Sequence, residues 1–172
     1  CRARECAMGV LVAEAMLDFT KDQGVTIAIQ NGGGLRASIP EGKITMGDVL
    51  TVLPFQNTVA TFKLTGAGIV EALENGVGRV EEGAGRFPQV AGMRYAWDAA
   101  SEPGSRIKAV EVKAGDGWTA LDMDKTYGVV TNNYMRGGGD GYKVFASKGT
   151  DAYDYGPGLE VIAADYIKAN SP

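Results

Sequence analysis

The stretch "VTIAIQNGGGLRASIP", residues 25–40, joins a short β-branched run to a loop of three glycines. The run "VTIAIQ" predicts a buried strand that enters this loop. Gly32, Gly34 and Ala37 fit the dinucleotide-binding pattern G-x-G-x-x-G/A, but that pattern requires a helix to begin in the loop. Pro40 follows too soon for such a helix to grow. The stretch therefore argues against a doubly wound dinucleotide-binding fold.

The same loop has features of a ligand-binding loop. A phosphate-binding P-loop is excluded because Lys followed by Ser or Thr does not come after the glycines. Glycine removes side chains, so backbone N–H groups and the flanking Asn31 and Arg36 can approach a bound group closely. The alternative is a tight turn with a solvated arginine.

Hydrophobic spacing predicts where the other helices and strands lie. Helices are expected over 7–19, 46–52, 67–80 and 159–169, and strands over 25–30, 57–66, 93–98, 106–113 and 125–132. Helices that alternate with clustered strands in this way predict an α+β layer arrangement in a single domain of residues 1–172.

The second half of the chain is read in more detail from its turn residues. The turns "EPGS" and "GDG" separate the last three strands, which suggests an antiparallel meander. A loop is expected over 79–92, a short extended segment over "YKVFA" (142–146), and a mobile segment over "GTDAYDYGPG" (149–158).

Composition limits the classes of function. The chain has 17 Lys and Arg against 21 Asp and Glu, a net charge of −4, which argues against an extended nucleic-acid surface. No apolar run approaches the roughly 20 residues of a membrane span, and the start lacks the features of a signal peptide, so an export signal would lie outside this stretch. The chain contains no histidine, which excludes Ser-His-Asp, Cys-His and zinc-hydrolase centres.

The two cysteines, Cys1 and Cys6, are close enough along the chain to form a disulfide if the turn between them is tight. A disulfide would indicate an oxidising compartment such as the periplasm or the cell exterior. The alternative is a pair of free thiols in a cytosolic protein.

Three further segments carry groups that suit a ligand. In "CRARECAMG" (1–9), Arg2 and Arg4 precede a helix whose first N–H groups attract anions, although terminal arginines are often only solvated. "LPFQNT" (53–58) combines an aromatic ring with amides, and the ring alone would fit a core position. In "TNNYMRGGGDGY" (131–142), two tyrosines and an aspartate surround glycines, without the ligand spacing of an EF-hand calcium loop.

Together these segments supply aromatic rings, a carboxylate, amides and arginines, which match the base, ribose and phosphate of a nucleotide. Aromatic rings stack on any base, and an aspartate can accept hydrogen bonds from both ribose hydroxyls. This interpretation requires Phe55 and Tyr134 to face one slot, with the carboxylate of Asp140 at its mouth.

The ordered motifs "CRARECAMG", "NGGGLR", "LPFQNT", "RFPQVAG" and "NNYMRGGGDGY" resemble the C-terminal substrate-binding domain of the 5′-nucleotidase family, which includes UDP-sugar hydrolases and apyrases. The resemblance covers essentially the whole chain. It implies a four-layer α/β/β/α sandwich, an α+β fold, and a disulfide between Cys1 and Cys6 of an exported protein.

The resemblance also implies roles for individual residues. The expected substrate-binding residues are Phe55 and Tyr134 for the base, Asp140 for the ribose hydroxyls, Asn31 and Asn57 near the nucleoside, and Arg2 and Arg36 for the phosphate. Tyr134 stands where the family often has phenylalanine, which keeps the stacking face. Two departures are Ala7, where asparagine is common, and Gln56, where glycine is frequent.

The family's catalytic centre lies in an N-terminal metallophosphatase domain with two divalent metal ions, which this chain is expected to lack. The resemblance therefore implies that the chain is the specificity domain of a periplasmic or extracellular 5′-nucleotidase, with no cofactor and no catalytic residue of its own. Its expected partners are a nucleotide or nucleoside and the N-terminal domain, without nucleic acid or a membrane span. Two alternatives are a stand-alone nucleoside- or nucleotide-binding module without catalysis and a scaffold module whose glycine loops are structural turns.

Overall fold

The computed structural model describes residues 1–171 and contains two β-sheets with helices packed on them. The helices are α1 (Ala7–Thr20), α2 (Met46–Val52), α3 (Gly66–Val77), α4 (Asn133–Arg136), α5 (Lys143–Lys148) and α6 (Leu159–Asn170). The strands are β1 (Ile27–Asn31), β2 (Val59–Thr65), β3 (Pro88–Ala91), β4 (Met93–Trp97), β5 (Ile107–Ala114), β6 (Gly117–Ala120), β7 (Thr126–Asn132) and β8 (Thr150–Tyr153). The predicted α+β class is confirmed.

The larger sheet has the strand order β3-β1-β7-β2-β8. Strand β1 runs parallel to β7 and antiparallel to β3, and β2 runs antiparallel to both β7 and β8. All five residues of β1 are buried, which is expected for a strand that is covered on both faces. The smaller sheet is the antiparallel meander β4-β5-β6.

Two apolar clusters hold the layers together. On one face of the larger sheet, α1, α2 and α6 pack around Met16, Val130 and Leu159. On the other face, α3, α5 and the smaller sheet enclose a second cluster that includes Ile69 and Phe145. Within residues 1–171, no helix combines the length and the apolar character that a membrane crossing would need.

The structure corrects four predictions about the second half of the chain. Strand β7, expected in the meander, lies at the centre of the larger sheet, and β6 takes its place. The segment expected to be extended, "YKVFA", begins helix α5, because a short apolar run does not distinguish a strand from a helix. The expected loop over 79–92 contains β3, and the segment expected to be mobile contains β8.

Candidate functional site

All seven residues predicted to bind substrate line one cleft of about 520 Å³. They are Arg2, Asn31, Arg36, Phe55, Asn57, Tyr134 and Asp140. Gly33, Gly34 and Gly85 complete the wall. The structure thus brings together side chains from opposite ends of the sequence, and their role in binding stays a prediction.

The topology of the larger sheet explains why these side chains meet. Strands β1 and β7 are parallel neighbours, so their carboxyl ends, Asn31 and Asn132, lie at the same edge. Strand β2 runs the other way, and its first residue, Val59, pairs with Asn132. The segment that precedes β2, with Phe55 and Asn57, therefore reaches the same edge of the sheet.

Asp140 is held by two residues of the site. Its Oδ2 accepts a hydrogen bond from Asn31 Nδ2 at 2.7 Å, and its Oδ1 accepts one from the Tyr134 hydroxyl at 3.1 Å. The backbone N–H of Asp140 donates to the same hydroxyl at 3.2 Å. Asp140 has a φ of 54°, in the left-handed region that aspartate adopts more readily than most residues with a Cβ. Its carboxylate is therefore fixed from several directions.

A buried amide network behind Asp140 was not predicted. Asn132 Nδ2 donates to Asn31 Oδ1 at 3.0 Å and to Gln30 Oε1 at 2.9 Å, while its Oδ1 caps α4 by accepting from the N–H of Met135. Gln30 and Asn132 are fully buried. These bonds turn the amide of Asn31 so that its Nδ2 faces the carboxylate. The only sequence signal was the pair of polar residues that ends each strand, "QN" and "TN".

The two rings of the site are about half exposed, with 57% of Phe55 and 48% of Tyr134 accessible to solvent. About half of the surface of each residue is therefore free to contact a ligand in the cleft. The guanidinium of Arg36 lies 5.8 Å from the centre of the Phe55 ring. Gln56, which follows Phe55, has a φ of 54°, in the left-handed region that glycine adopts most readily.

The two arginines of the site keep most of their donors free. Arg2 Nη1 donates to the carbonyl of Gly83 at 3.1 Å, and Arg36 Nη1 donates to the carbonyl of Gly33 at 3.4 Å. Among residues 1–171, neither guanidinium forms an ion pair with a carboxylate. Arginines with free donors at the rim of a cleft suit an anionic ligand.

The N-terminal loop that carries Arg2 is closed by the predicted disulfide between Cys1 and Cys6, whose Cα atoms are 5.1 Å apart. Gln89, which is buried, donates from Nε2 to the carbonyls of Cys1 and Arg4 and accepts from the N–H of Cys6. Sequence reasoning missed Gln89 because it lay in the expected loop. Its three bonds hold the loop against β3.

Two residues from the motifs lie outside the cleft. Arg4 lines a separate cavity of about 190 Å³ beside Tyr95 and Trp97. Tyr142 is fully buried, donates to the carbonyl of Arg86 at 2.6 Å, and has a pKa raised well above its ordinary value by burial. Throughout residues 1–171, no group of three or more Asp, Glu, Cys or His side chains is arranged to hold a metal ion.

Comparison with known proteins gives consistent matches. The sequence model of the family described as "5′-nucleotidase, C-terminal domain" matches residues 1–147. The chain is 47% identical over 154 residues to the trifunctional nucleotide phosphoesterase protein YfkN of Bacillus subtilis, covering 87% of the chain and 10% of that protein. It is 32% identical over 184 residues to the snake venom 5′-nucleotidase of Gloydius brevicauda, covering 98% of the chain and 31% of that protein.

A solved structure agrees with these sequence matches. The crystal structure of the 5′-nucleotidase precursor from Thermus thermophilus superposes with a TM-score of 0.95 at 47% identity, covering 98% of this chain and 33% of that chain. The chain therefore spans a third or less of the length of each of these three relatives.

Proposed function

The chain belongs to the 5′-nucleotidase C-terminal domain family, and we propose that it is the substrate-specificity domain of a periplasmic or extracellular 5′-nucleotidase. It binds the base, ribose and phosphate of a nucleotide and presents the phosphate ester to a dimetal site for hydrolysis. That site would lie on an N-terminal metallophosphatase domain outside these 172 residues.

The observation that carries the proposal is the convergence of rings, carboxylate, amides and guanidiniums on one cleft. Phe55 and Tyr134 stack on the base, and Asp140 accepts hydrogen bonds from the ribose hydroxyls. Arg2 and Arg36 bind the phosphate, because their charges have no carboxylate partner among the described residues. Asn31 and Asn57 supply amides beside the nucleoside.

The proposed contribution of this chain to hydrolysis is positioning. Two metal ions would clamp the attacking and leaving oxygens of the phosphate ester, and the chain offers no histidine to ligate them. Binding of the base and ribose would hold the scissile bond in place, which reduces the entropic part of the barrier. The two guanidiniums would orient the phosphate and offset its charge.

A location outside the cytoplasm is supported by the disulfide between Cys1 and Cys6, because disulfides persist mainly in oxidising compartments. It is also supported by the similarity to a snake venom 5′-nucleotidase, since venom is a secretion.

Calorimetric titration of the 172-residue chain tests the binding roles. We expect the double substitution Phe55→Ala and Tyr134→Ala to weaken binding of adenosine and AMP by at least about tenfold, because stacking stabilises a base by about 1–3 kcal/mol. The double substitution Arg2→Gln and Arg36→Gln should weaken the binding of AMP and leave the binding of adenosine unchanged. Tyr155→Ala, at a ring that is 84% exposed outside the cleft, is the matched control.

Two outcomes would contradict the proposal. Unchanged AMP affinity in the ring variant would favour a scaffold whose glycine loops are only turns. Steady phosphate release by the 172-residue chain alone would contradict the assignment of catalysis to another domain. A longer parent protein that binds AMP but releases no phosphate with divalent metal would favour the stand-alone binding module.

A further inference from the structure

The hydroxyl of Tyr134 has a specific partner inside the cleft. It donates to Asp140 Oδ1 at 3.1 Å and accepts from the backbone N–H of the same residue at 3.2 Å. A phenylalanine at this position would present the same ring but could form neither bond. The hydroxyl is therefore a feature of this chain that base stacking does not require.

The ring of Tyr134 packs on one side against Gly139. Three of its atoms lie 2.5 to 2.6 Å from the point that a Cβ on Gly139 would occupy. One side of the ring thus lies against the backbone of Gly139, while 48% of the residue remains accessible to solvent. The Tyr134 ring and the Asp140 carboxylate are thus joined by a hydrogen bond before any ligand binds.

The Tyr134 hydroxyl is one of two side-chain groups that bind the backbone of Asp140, the other being Asn75 Nδ2, which donates to the Asp140 carbonyl at 3.1 Å. Four of the five residues from 137 to 141 are glycines, which have the greatest conformational freedom of all residues. Asp140 itself has a φ of 54°. The hydroxyl binds both the backbone and the side chain of Asp140, whereas Asn31 binds only the side chain.

We propose that the Tyr134 hydroxyl is a positioning group for ribose recognition, because it holds the Asp140 carboxylate where the 2′- and 3′-hydroxyls of a bound nucleoside can reach it. The inference rests on the proposed function and deepens it. A carboxylate oxygen can accept more than one hydrogen bond, so Oδ1 can accept from Tyr134 and from the ribose together. Preorganisation of this kind strengthens binding by removing the cost of ordering the site.

The test compares adenosine with 2′,3′-dideoxyadenosine, titrated calorimetrically into the 172-residue chain and into the Tyr134→Phe variant. The variant keeps the ring, so we expect binding of dideoxyadenosine to change by less than about twofold. Adenosine should bind about tenfold more weakly, as expected for the loss of one hydrogen bond that supports a charged group. A hydroxyl with a purely structural role would change both affinities equally.

Two further variants complete the design. Tyr153→Phe removes a hydroxyl from a tyrosine that is 58% exposed outside the cleft and should leave both affinities unchanged. In a double-mutant cycle with Asp140→Asn, removal of the Tyr134 hydroxyl should have almost no further effect on the preference for adenosine. Asparagine is suitable at this position because it tolerates a positive φ.

Several results would overturn the inference. In Tyr134→Phe, these are an equal loss of affinity for adenosine and dideoxyadenosine, or an unchanged preference for adenosine over dideoxyadenosine. Tighter binding of adenosine would also overturn it, because the hydroxyl would then compete with the ribose. If the unaltered chain bound adenosine and dideoxyadenosine equally well, or neither, the role of Asp140 in the proposed function would fail as well. A preference that persists unchanged in Tyr134→Phe would overturn only the role of the hydroxyl.

Discussion

Two runs of three glycines lie next to residues of the cleft, Gly32–Gly34 after β1 and Gly137–Gly139 after α4, and they satisfy different physical requirements. At Gly32 and Gly33 of the first run, main chain from remote segments fills the space that side chains would need. A Cβ on Gly32 would overlap the carbonyl oxygen of Cys1, and the N–H of Gly33 donates to the carbonyl of Gly85 at 2.7 Å. The first run is therefore part of the packing between chain segments.

The second run accommodates a turn and a ring. Gly138 has a φ of 97°, which a residue with a Cβ adopts only with strain, and Gly139 lies directly beneath the ring of Tyr134. A side chain can rotate away from a new methyl group more easily than main chain can. Two runs with the same glycine content therefore differ in what a substitution changes, which is stability in the first run and binding in the second.

The largest effect is expected for Gly32→Ala. The new methyl group overlaps the main chain of Cys1, so the disulfide-closed loop that carries Arg2 must move. Overpacking at a rigid site costs about 3 kcal/mol, the upper part of its usual range, and we expect this decrease in the free energy of unfolding, measured by urea denaturation. Relative to the unaltered chain, Gly32→Ala should also weaken the binding of AMP more than the binding of adenosine.

The control for this substitution is Gly47→Ala in α2. A Cβ on Gly47 meets only Thr45 Oγ1, at 3.5 Å, and alanine favours a helix by about 1 kcal/mol over glycine. This variant should be as stable as the unaltered chain or more so. Equal losses of stability in Gly32→Ala and Gly47→Ala would show that the main chain of Cys1 does not restrict a side chain at position 32.

Much of the fold was predictable where the relevant information is local. Helices α1 and α2 follow from apolar spacing and a stop at Pro54, and the strands β1, β2, β4, β5 and β7 were placed within about two residues. The sheet to which β7 belongs was not predictable from its own residues. Its partners, Ile27 and Val59 among others, are remote in sequence, and a strand pattern does not specify its neighbours.

The site shows the same limit. The seven side chains of the cleft were found from motifs, and their convergence follows from the strand directions of the larger sheet. Gln30, Gln89 and Asn132 were missed because each acts through hydrogen bonds to residues far away in sequence. A buried amide has the same appearance in a sequence as a solvated one.

A smaller effect, on binding rather than on stability, is expected for Gly139→Ala. The new methyl group must push the Tyr134 ring aside, which breaks its bonds to Asp140. Adenosine should bind about tenfold more weakly, because the stacking contribution of one ring is lost. Gly137→Ala, whose Cβ would meet only carbonyl oxygens at 3.4 Å and 3.7 Å, is the matched control in the same run. Similar adenosine affinities for the two variants would show that the ring does not depend on Gly139.

The smallest effect is expected for Tyr142, the buried residue that follows the second run. Burial raises the pKa of its phenol well above 10.0, so the folded state holds the proton more tightly than the unfolded state does. The resulting stabilisation is complete below pH 10 and is lost as the pH rises through the folded-state pKa. For one such group, the free energy of unfolding falls by about 1 kcal/mol between pH 10 and pH 11.

Tyr142→Phe should remove this part of the alkaline dependence. At pH 8 the variant should be about 1 kcal/mol less stable, because the carbonyl of Arg86 loses its hydrogen bond. Between pH 10 and pH 11 the stability of the variant should fall less steeply than that of the unaltered chain. Some alkaline dependence remains in both proteins, because burial also raises the pKa of Tyr95. Parallel urea titrations at pH 8, 10 and 11 measure the difference, and identical slopes would mean that Tyr142 ionises in the folded state as easily as in the unfolded one. Tyr142 lies one residue beyond Gly141. If Tyr142→Phe lowers stability but leaves adenosine affinity unchanged, the second run positions the Tyr134 ring independently of the core.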